Sequence, residues 1–173
     1  WVIGILHVFG QYTNQELLTT YTKPLLVPLL AVFYYNKQAE RLFLISLGCS
    51  WLGDLFLMGE GRLFFLSGIF SFWGAQLCYL YLINKEVQLP FKKRLFSKEA
   101  LLPLILFGSY FVGTMSLLGV KLGMLTFPVS GYAFTLAIIG ATSMLLWIKK
   151  KSSSTRALFF GVLLFIISDS MIA

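Results

Sequence analysis

The stretch from Ala100 to Leu118, ALLPLILFGSYFVGTMSLL, contains no charged side chain. A helix that crosses a bilayer needs ~20 predominantly apolar residues, which this stretch nearly supplies. A strand of a membrane β-barrel would instead alternate between apolar and polar residues, and this stretch does not. The sequence here therefore predicts a transmembrane helix.

The composition extends this prediction to the whole chain. Hydrophobic residues make up 58% of the 173 residues, charged residues make up 12%, and the mean hydropathy is +0.82. A soluble domain carries about 25% charged residues, and one of this length has too small an interior to bury so much apolar surface. Since no linker or repeat interrupts the chain, we expect residues 1–173 to form a single all-α domain, a polytopic transmembrane helical bundle.

Seven apolar runs follow one another along the chain. They are Trp1–Gly10, Pro24–Tyr35, Leu42–Met58, Leu63–Ile83, Ala100–Leu118, Leu122–Ile148 and Ala157–Ala173. The second run is short, and its helix is expected to extend back toward Thr19. Because the chain begins and ends inside apolar runs, we expect both ends to be truncated.

The basic residues are distributed unevenly between the predicted loops. Of the 14 Lys and Arg residues, eleven lie in or beside the loops after the second, fourth and sixth runs. The other three are Lys23, Arg62 and Lys121. The loops rich in Lys and Arg are expected to face the cytoplasm, in a multi-pass protein of the plasma (inner) membrane if the source is bacterial. The net charge of +7 then reflects topology and contact with anionic lipid rather than binding of nucleic acid.

The chain has only two aspartates, Asp54 and Asp169, and both lie within apolar runs. A charged side chain in a spanning helix costs ~2.5–3.5 kcal/mol or more, so such a residue is a candidate functional group. Asp54 follows Arg41 by thirteen residues, and Asp169 follows Arg156 by the same interval. At a rise of ~1.5 Å per residue, both carboxyls are expected at about the same depth, ~20 Å from the basic face.

If the two helices are neighbours, the two carboxyls can meet, and Gly53 would allow a close helix approach at that level. Two adjacent carboxyls in a medium of low dielectric do not both ionise. One protonated and one charged carboxyl form an acid–base pair suited to catalysis. Two alternatives remain open, in which the aspartates hold helices together or relay protons or ions.

Other residue types limit the chemistry further. His7 is the only histidine, so the chain has no histidine-rich metal site. Cys49 and Cys78 show no ligand spacing and are expected to be inert. The sequence contains no nucleophile elbow, phosphate-binding loop or dinucleotide-binding fingerprint, and it implies no cofactor.

Four stretches of the chain carry a family resemblance. They are Thr22-Lys23-Pro24-Leu25, Gly53-Asp54-Leu55-Phe56-Leu57, the set Phe72, Gln76 and Tyr79, and the segment Phe165–Ala173. The third set has the spacing of a Phe-x3-His-x2-Tyr pattern, with Gln76 at the histidine position. In these motifs, their order and their spacing, the chain resembles the YhhN-like family of membrane proteins, which includes the lysoplasmalogenases.

The resemblance implies a bundle of about eight helices and a hydrolase that cleaves the vinyl ether bond of lysoplasmalogens to a fatty aldehyde and a glycerophospho-base. The two family aspartates fall on Asp54 and Asp169. Gln76 stands where the family pattern has histidine, so an acid–base role is not expected at that position. The chemistry agrees with the residue-level hypothesis, because two carboxyls can protonate a vinyl ether and stabilise the resulting oxocarbenium ion, as in glycosidases.

Further candidate residues each have a structural alternative. Lys23 could bind a substrate phosphate or extend its ammonium to the membrane interface. Tyr79, Tyr132 and Gln76 could contact the substrate. The two tyrosines could also donate hydrogen bonds to a carboxyl or only pack.

Rival functions are an intramembrane aspartyl protease and a non-enzymatic, proton-coupled transporter or lipid-binding protein. Trp51 breaks the Gly-x-Gly-Asp signature expected of such a protease. The expected partners are a membrane lipid substrate and the bilayer. The oligomeric state is not determined by the sequence.

Overall fold

A computed structural model describes residues 2–13, 15–36, 40–87, 97–118 and 123–170. Within these ranges the chain is all-α and contains seven α-helices, which confirms the predicted fold class and helix number. The helices are α1 (Val2–Tyr12), α2 (Glu16–Tyr35), α3 (Arg41–Leu57), α4 (Arg62–Val87), α5 (Leu101–Leu118), α6 (Thr126–Lys150) and α7 (Ser153–Ser170). Short 3-10 turns, Lys98–Ala100 and Gly123–Leu125, precede α5 and α6.

Helix α2 begins earlier than its apolar run suggests. It starts at Glu16, so Pro24 and Pro28 lie inside the helix rather than at its beginning. A helical proline deprives the carbonyl four residues earlier of its N–H donor, and neighbouring helices must supply another. The indole Nε1 of Trp51 donates a 2.8 Å hydrogen bond to the Pro24 carbonyl, which Pro28 would otherwise leave without a donor.

Pro103 and Pro128 behave differently from the two prolines of α2. Each is the third residue of its helix, α5 or α6. Amide groups in the first turn of a helix have no intrahelical acceptor, so a proline there removes no hydrogen bond. These prolines therefore lie where helices begin, and their positions require no kink.

The turn between α3 and α4 contains Gly59-Glu60-Gly61, in the gap between the third and fourth apolar runs. Gly61 adopts a φ of 105°, a left-handed conformation that glycine accepts without steric cost. The gap between the fifth and sixth apolar runs, at residues 119–121, lies outside the described residues.

The chain forms two compact units, Trp1–Cys78 and Tyr79–Ala173, and the boundary falls within α4. In the first unit α3 packs closely on α4. A Cβ added to Gly53 would lie 2.6 Å from the Phe72 ring, and one added to Gly68 would lie 2.8 Å from the Leu57 side chain. Gly53 thus lies against an aromatic ring of α4, and the predicted approach of the helix that carries Asp169 at this level stays a prediction.

In the second unit α6 packs against α5 and α7 through a core of large side chains. The buried members of this core are Phe107, Leu136, Ala137, Phe159 and Ile166. Gly140 lies against Phe107 so closely that a Cβ would be 2.2 Å from the ring. The core places the beginning of α6 beside the end of α7.

Four helical segments among the described residues are long and apolar enough to cross a membrane. They are Arg62–Val87, Lys98–Leu118, Thr126–Lys150 and Ser153–Ser170. Many of their large apolar side chains are exposed, including Leu104, Val112 and Leu164. Exposed apolar surface of this extent suits a lipid environment, and it indicates a membrane protein.

Candidate functional site

Asp54 lies near the end of α3 and faces Lys23 of α2 within the first unit. The Lys23 Nζ is 3.9 Å from the Asp54 Oδ1, and their side chains are 40% and 25% exposed. The Lys23–Asp54 and Trp51–Pro24 contacts place the first half of α2 beside the last turns of α3, so the two successive helices run antiparallel. This antiparallel arrangement brings the Thr22–Leu25 and Gly53–Leu57 motifs together.

Trp51 fixes the same contact from one turn earlier on α3. Residues three positions apart lie on one face of a helix, so Trp51 and Asp54 both face α2. The Trp51 indole bonds to Pro24, and the Asp54 carboxyl faces the adjacent residue, Lys23. Sequence reasoning missed Trp51 as part of the site, although the paired prolines of α2 signal that a carbonyl there needs an external donor.

Gln76 is completely buried in α4. Neither its amide nitrogen nor its amide oxygen has a hydrogen-bond partner among the described residues. Leaving a buried polar group without a partner costs about 1–3 kcal/mol, so such groups usually have a ligand, water or functional reason. Gln76 lies one turn after Phe72, which contacts the backbone next to Asp54 at Gly53.

Asp169 lies at the end of α7 in the second unit. Tyr132 of α6 donates a hydrogen bond from its hydroxyl to the Asp169 Oδ2. The next residue, Ser170, shares a 2.9 Å hydrogen bond with the Tyr110 hydroxyl of α5. Of the roles considered for Tyr132, the structure shows the hydrogen bond to a carboxyl; substrate binding by Tyr132 stays a prediction.

A cavity of about 430 Å³ opens beside Asp169. Side chains of α5, α6 and α7 line it, among them Tyr110, Tyr132, Leu136 and Asp169. Its volume falls within the range of small-molecule sites, which are mostly apolar with a few polar groups. The carboxyl of Asp169 is thus accessible to a ligand of amphiphilic character.

The structure brings Lys23 to Asp54 in one unit and Tyr132 to Asp169 in the other. The meeting of Asp54 with Asp169 stays a prediction. Tyr79 is half-buried in α4, and its role also stays a prediction. No group of three or more His, Cys, Asp or Glu side chains suited to a metal ion occurs within the described ranges.

The chain matches the YhhN family over residues 18–173, a range that includes all four stretches that carry the resemblance. No match was found among curated proteins or among solved structures. Since the family match covers most of the chain and includes both aspartates with their Lys23 and Tyr132 partners, the chain belongs to the YhhN family.

Proposed function

We propose that the protein is a multi-pass membrane enzyme that hydrolyses the vinyl ether bond of lysoplasmalogens, with Asp54 and Asp169 as its catalytic residues. The proposal depends mainly on the position of Asp169. Tyr132 holds this carboxyl, which belongs to an apolar helix, at the wall of a cavity lined by both polar and apolar side chains. Membership of the YhhN family supports this choice of substrate, because the family is associated with lysoplasmalogenase activity.

The proposed reaction needs one acid and one base. A protonated carboxyl gives its proton to the β-carbon of the vinyl ether, and the α-carbon becomes an oxocarbenium ion. The second, ionised carboxyl stabilises this cation and takes a proton from water as the water oxygen attacks the α-carbon. In the collapse of the hemiacetal, the first carboxyl takes the proton of the hemiacetal hydroxyl, and the second carboxyl gives its proton to the departing glycerol oxygen. The products are a fatty aldehyde and the glycerol hydroxyl, one water molecule is consumed, and both carboxyls recover their starting states.

The surroundings of the two aspartates support distinct tasks for their neighbours. Lys23 carries three N–H donors on its ammonium, so it can bind a lipid phosphate while it stays near Asp54. Tyr132 orients the Asp169 carboxyl, while Tyr79 and Gln76 are proposed to contact the substrate. The amide of Gln76 can donate and accept hydrogen bonds, but it cannot act as a general acid or base near neutral pH.

The membrane location is proposed as multi-pass, with the loops rich in Lys and Arg on the cytoplasmic side. In that orientation Lys23, the end of α3 and the end of α7 lie toward the outer side. A lipid whose head group remains at the interface would then present its ether bond below the interface, where the aspartates are expected. The enzyme would thus act on its substrate without removing it from the bilayer.

Aldehyde formation by purified protein in detergent tests this function. A lysoplasmalogen should give fatty aldehyde, and its saturated ether analogue should not. Asp54→Asn and Asp169→Asn should each abolish turnover while the protein stays folded. Full activity in either variant would remove that aspartate from the mechanism. Proton flux into proteoliposomes without aldehyde release would favour the transporter alternative.

A further inference from the structure

The cavity beside Asp169 has polar groups concentrated in one place. Tyr132 bonds to Asp169, and Tyr110 bonds to Ser170. Because Asp169 and Ser170 are consecutive, the two hydrogen-bonded pairs lie side by side at the end of α7. Most of the remaining lining is apolar and includes Leu117, Leu118, Val129 and Leu136. The cavity therefore combines one polar region with an apolar space.

Gly113 of α5 lies on the wall of this cavity. A Cβ added at Gly113 would find no atom within 4 Å, so a larger side chain there would extend into open space. Gly108 lies on the same helix and is equally without neighbours for a Cβ, but it is exposed and does not line the cavity. The helix therefore offers a test position and a matched control position.

One wall of the cavity belongs to a helix with exposed apolar side chains. Leu117, one of its lining residues, is 75% exposed, and it lies on α5, which is apolar enough to span a bilayer. An aliphatic chain could pass from the lipid phase into the cavity without crossing water. The polar group at the head of that chain would then meet Asp169 and its neighbours.

We infer that this cavity binds a single aliphatic chain, with the first carbons of the chain beside Asp169, and that Gly113 keeps the space for the chain open. The inference deepens the proposed function and rests on it for the identity of the chain, which is the alkenyl chain of the substrate and the carbon chain of the aldehyde product. Gly113 is thus a residue that determines chain length.

Photolabelling tests the site independently of catalysis. The probe is a long-chain fatty alcohol that carries a diazirine, applied to purified protein in detergent. In the wild type, labelled peptides should come from α5, α6 and α7 around the cavity. Gly113→Leu should reduce this labelling at least tenfold, and Gly108→Leu should leave it unchanged. Gly113→Ala, with a smaller side chain, should give an intermediate loss.

The first unit contains a larger apolar groove of about 970 Å³ between α1 and α2. Because this groove could also bind an aliphatic chain, the positions of the labelled peptides decide between the two sites. Labelling in that groove alone, or equal labelling of the two leucine variants, would overturn the inference. Each methylene buried contributes about 0.8 kcal/mol, so unlabelled alcohols should compete about fourfold better per added carbon. The increase in competition with chain length should stop at a shorter alcohol in Gly113→Leu than in the wild type. The same dependence on chain length in both proteins would also overturn the inference.

Labelling of Asp54→Asn separates this inference from the proposed reaction. The variant retains the cavity, so it should be labelled as strongly as the wild type although it is expected to be inactive. Normal labelling of a wild-type protein that releases no aldehyde would support the chain site and overturn the proposed reaction. Loss of labelling in Gly113→Leu with an unchanged preference for substrate chain length would contradict the role of Gly113.

Discussion

The indole Nε1 of Trp51 in α3 donates a hydrogen bond of 2.8 Å to the carbonyl oxygen of Pro24 in α2. This carbonyl would otherwise accept from residue 28, which is a proline and has no N–H. The bond lies next to the Lys23–Asp54 ion pair. Trp51 therefore both compensates for a helix-breaking residue and fixes the helix pair that carries a candidate catalytic carboxyl.

Trp51→Phe keeps an aromatic ring but removes the donor. We expect the free energy of unfolding to fall by about 1–2 kcal/mol, because the Pro24 carbonyl loses its partner. Thermal unfolding in detergent measures the change. In a Pro28→Ala background the new amide at position 28 can bond to Pro24, so Trp51→Phe should cost less there. An equal cost in both backgrounds would contradict the proposed role of the indole.

Gly53→Ala should destabilise the contact between α3 and α4, because its Cβ would lie 2.6 Å from the Phe72 ring. Overpacking of this kind typically costs about 1–3 kcal/mol, and the shift in thermal unfolding reports it. Gly48→Ala is the matched control on α3, since no atom lies within 4 Å of a Cβ there. Phe72→Leu should partly restore stability to Gly53→Ala, and failure to do so would assign the cost to another contact.

Lys23→Ala separates phosphate binding from support of Asp54. If Lys23 binds the substrate phosphate, KM should rise about tenfold for a phosphorylated lipid, as expected for one lost charge-assisted hydrogen bond. KM for the dephosphorylated lipid should not change. A fall in kcat with both lipids would instead show that Lys23 acts through Asp54. Unchanged kinetics with both lipids would leave only the structural alternative, in which Lys23 extends its ammonium to the membrane interface.

Tyr132→Phe removes the hydroxyl that bonds to Asp169 and keeps the ring in the core of the second unit. We expect kcat to fall about tenfold, because the Asp169 carboxyl loses the hydrogen bond that orients it and such a bond contributes about 0.5–1.5 kcal/mol. KM should change little, and the free energy of unfolding should fall by a similar amount, because the folded variant also lacks this bond. A rise in KM with kcat unchanged would assign Tyr132 to substrate binding rather than to positioning of the carboxyl.

Gln76→Met replaces a buried amide by an apolar side chain of similar length. The amide has no partner among the described residues, so its removal should raise the free energy of unfolding by about 1 kcal/mol. If the amide contacts the substrate or a substrate-bound water, activity should fall although stability rises. A more stable variant with full activity would remove Gln76 from the site.

The helices could largely be predicted from the sequence because hydrophobic length is a local property of the chain. The predicted third, fourth and fifth helices begin within one residue of α3, α4 and α5. The beginning of α2 was harder to predict because two interior prolines suggest a helix boundary. Only a side chain from another helix, that of Trp51, satisfies the carbonyl that Pro28 leaves without an N–H donor.

The sequence by itself determined the all-α class and the seven helices. It also identified the two aspartates as candidate functional residues, because a charge within an apolar helix is energetically unfavourable. It also determined the family, because the motifs that carry the match lie at fixed positions along the chain. Only the tertiary structure decided that Lys23 faces Asp54, that Tyr132 bonds to Asp169 and that a cavity opens beside Gly113. These features depend on how neighbouring helices are rotated and spaced. That geometry is set by contacts between residues far apart in the sequence, such as Trp51 with Pro24 and Gly140 with Phe107.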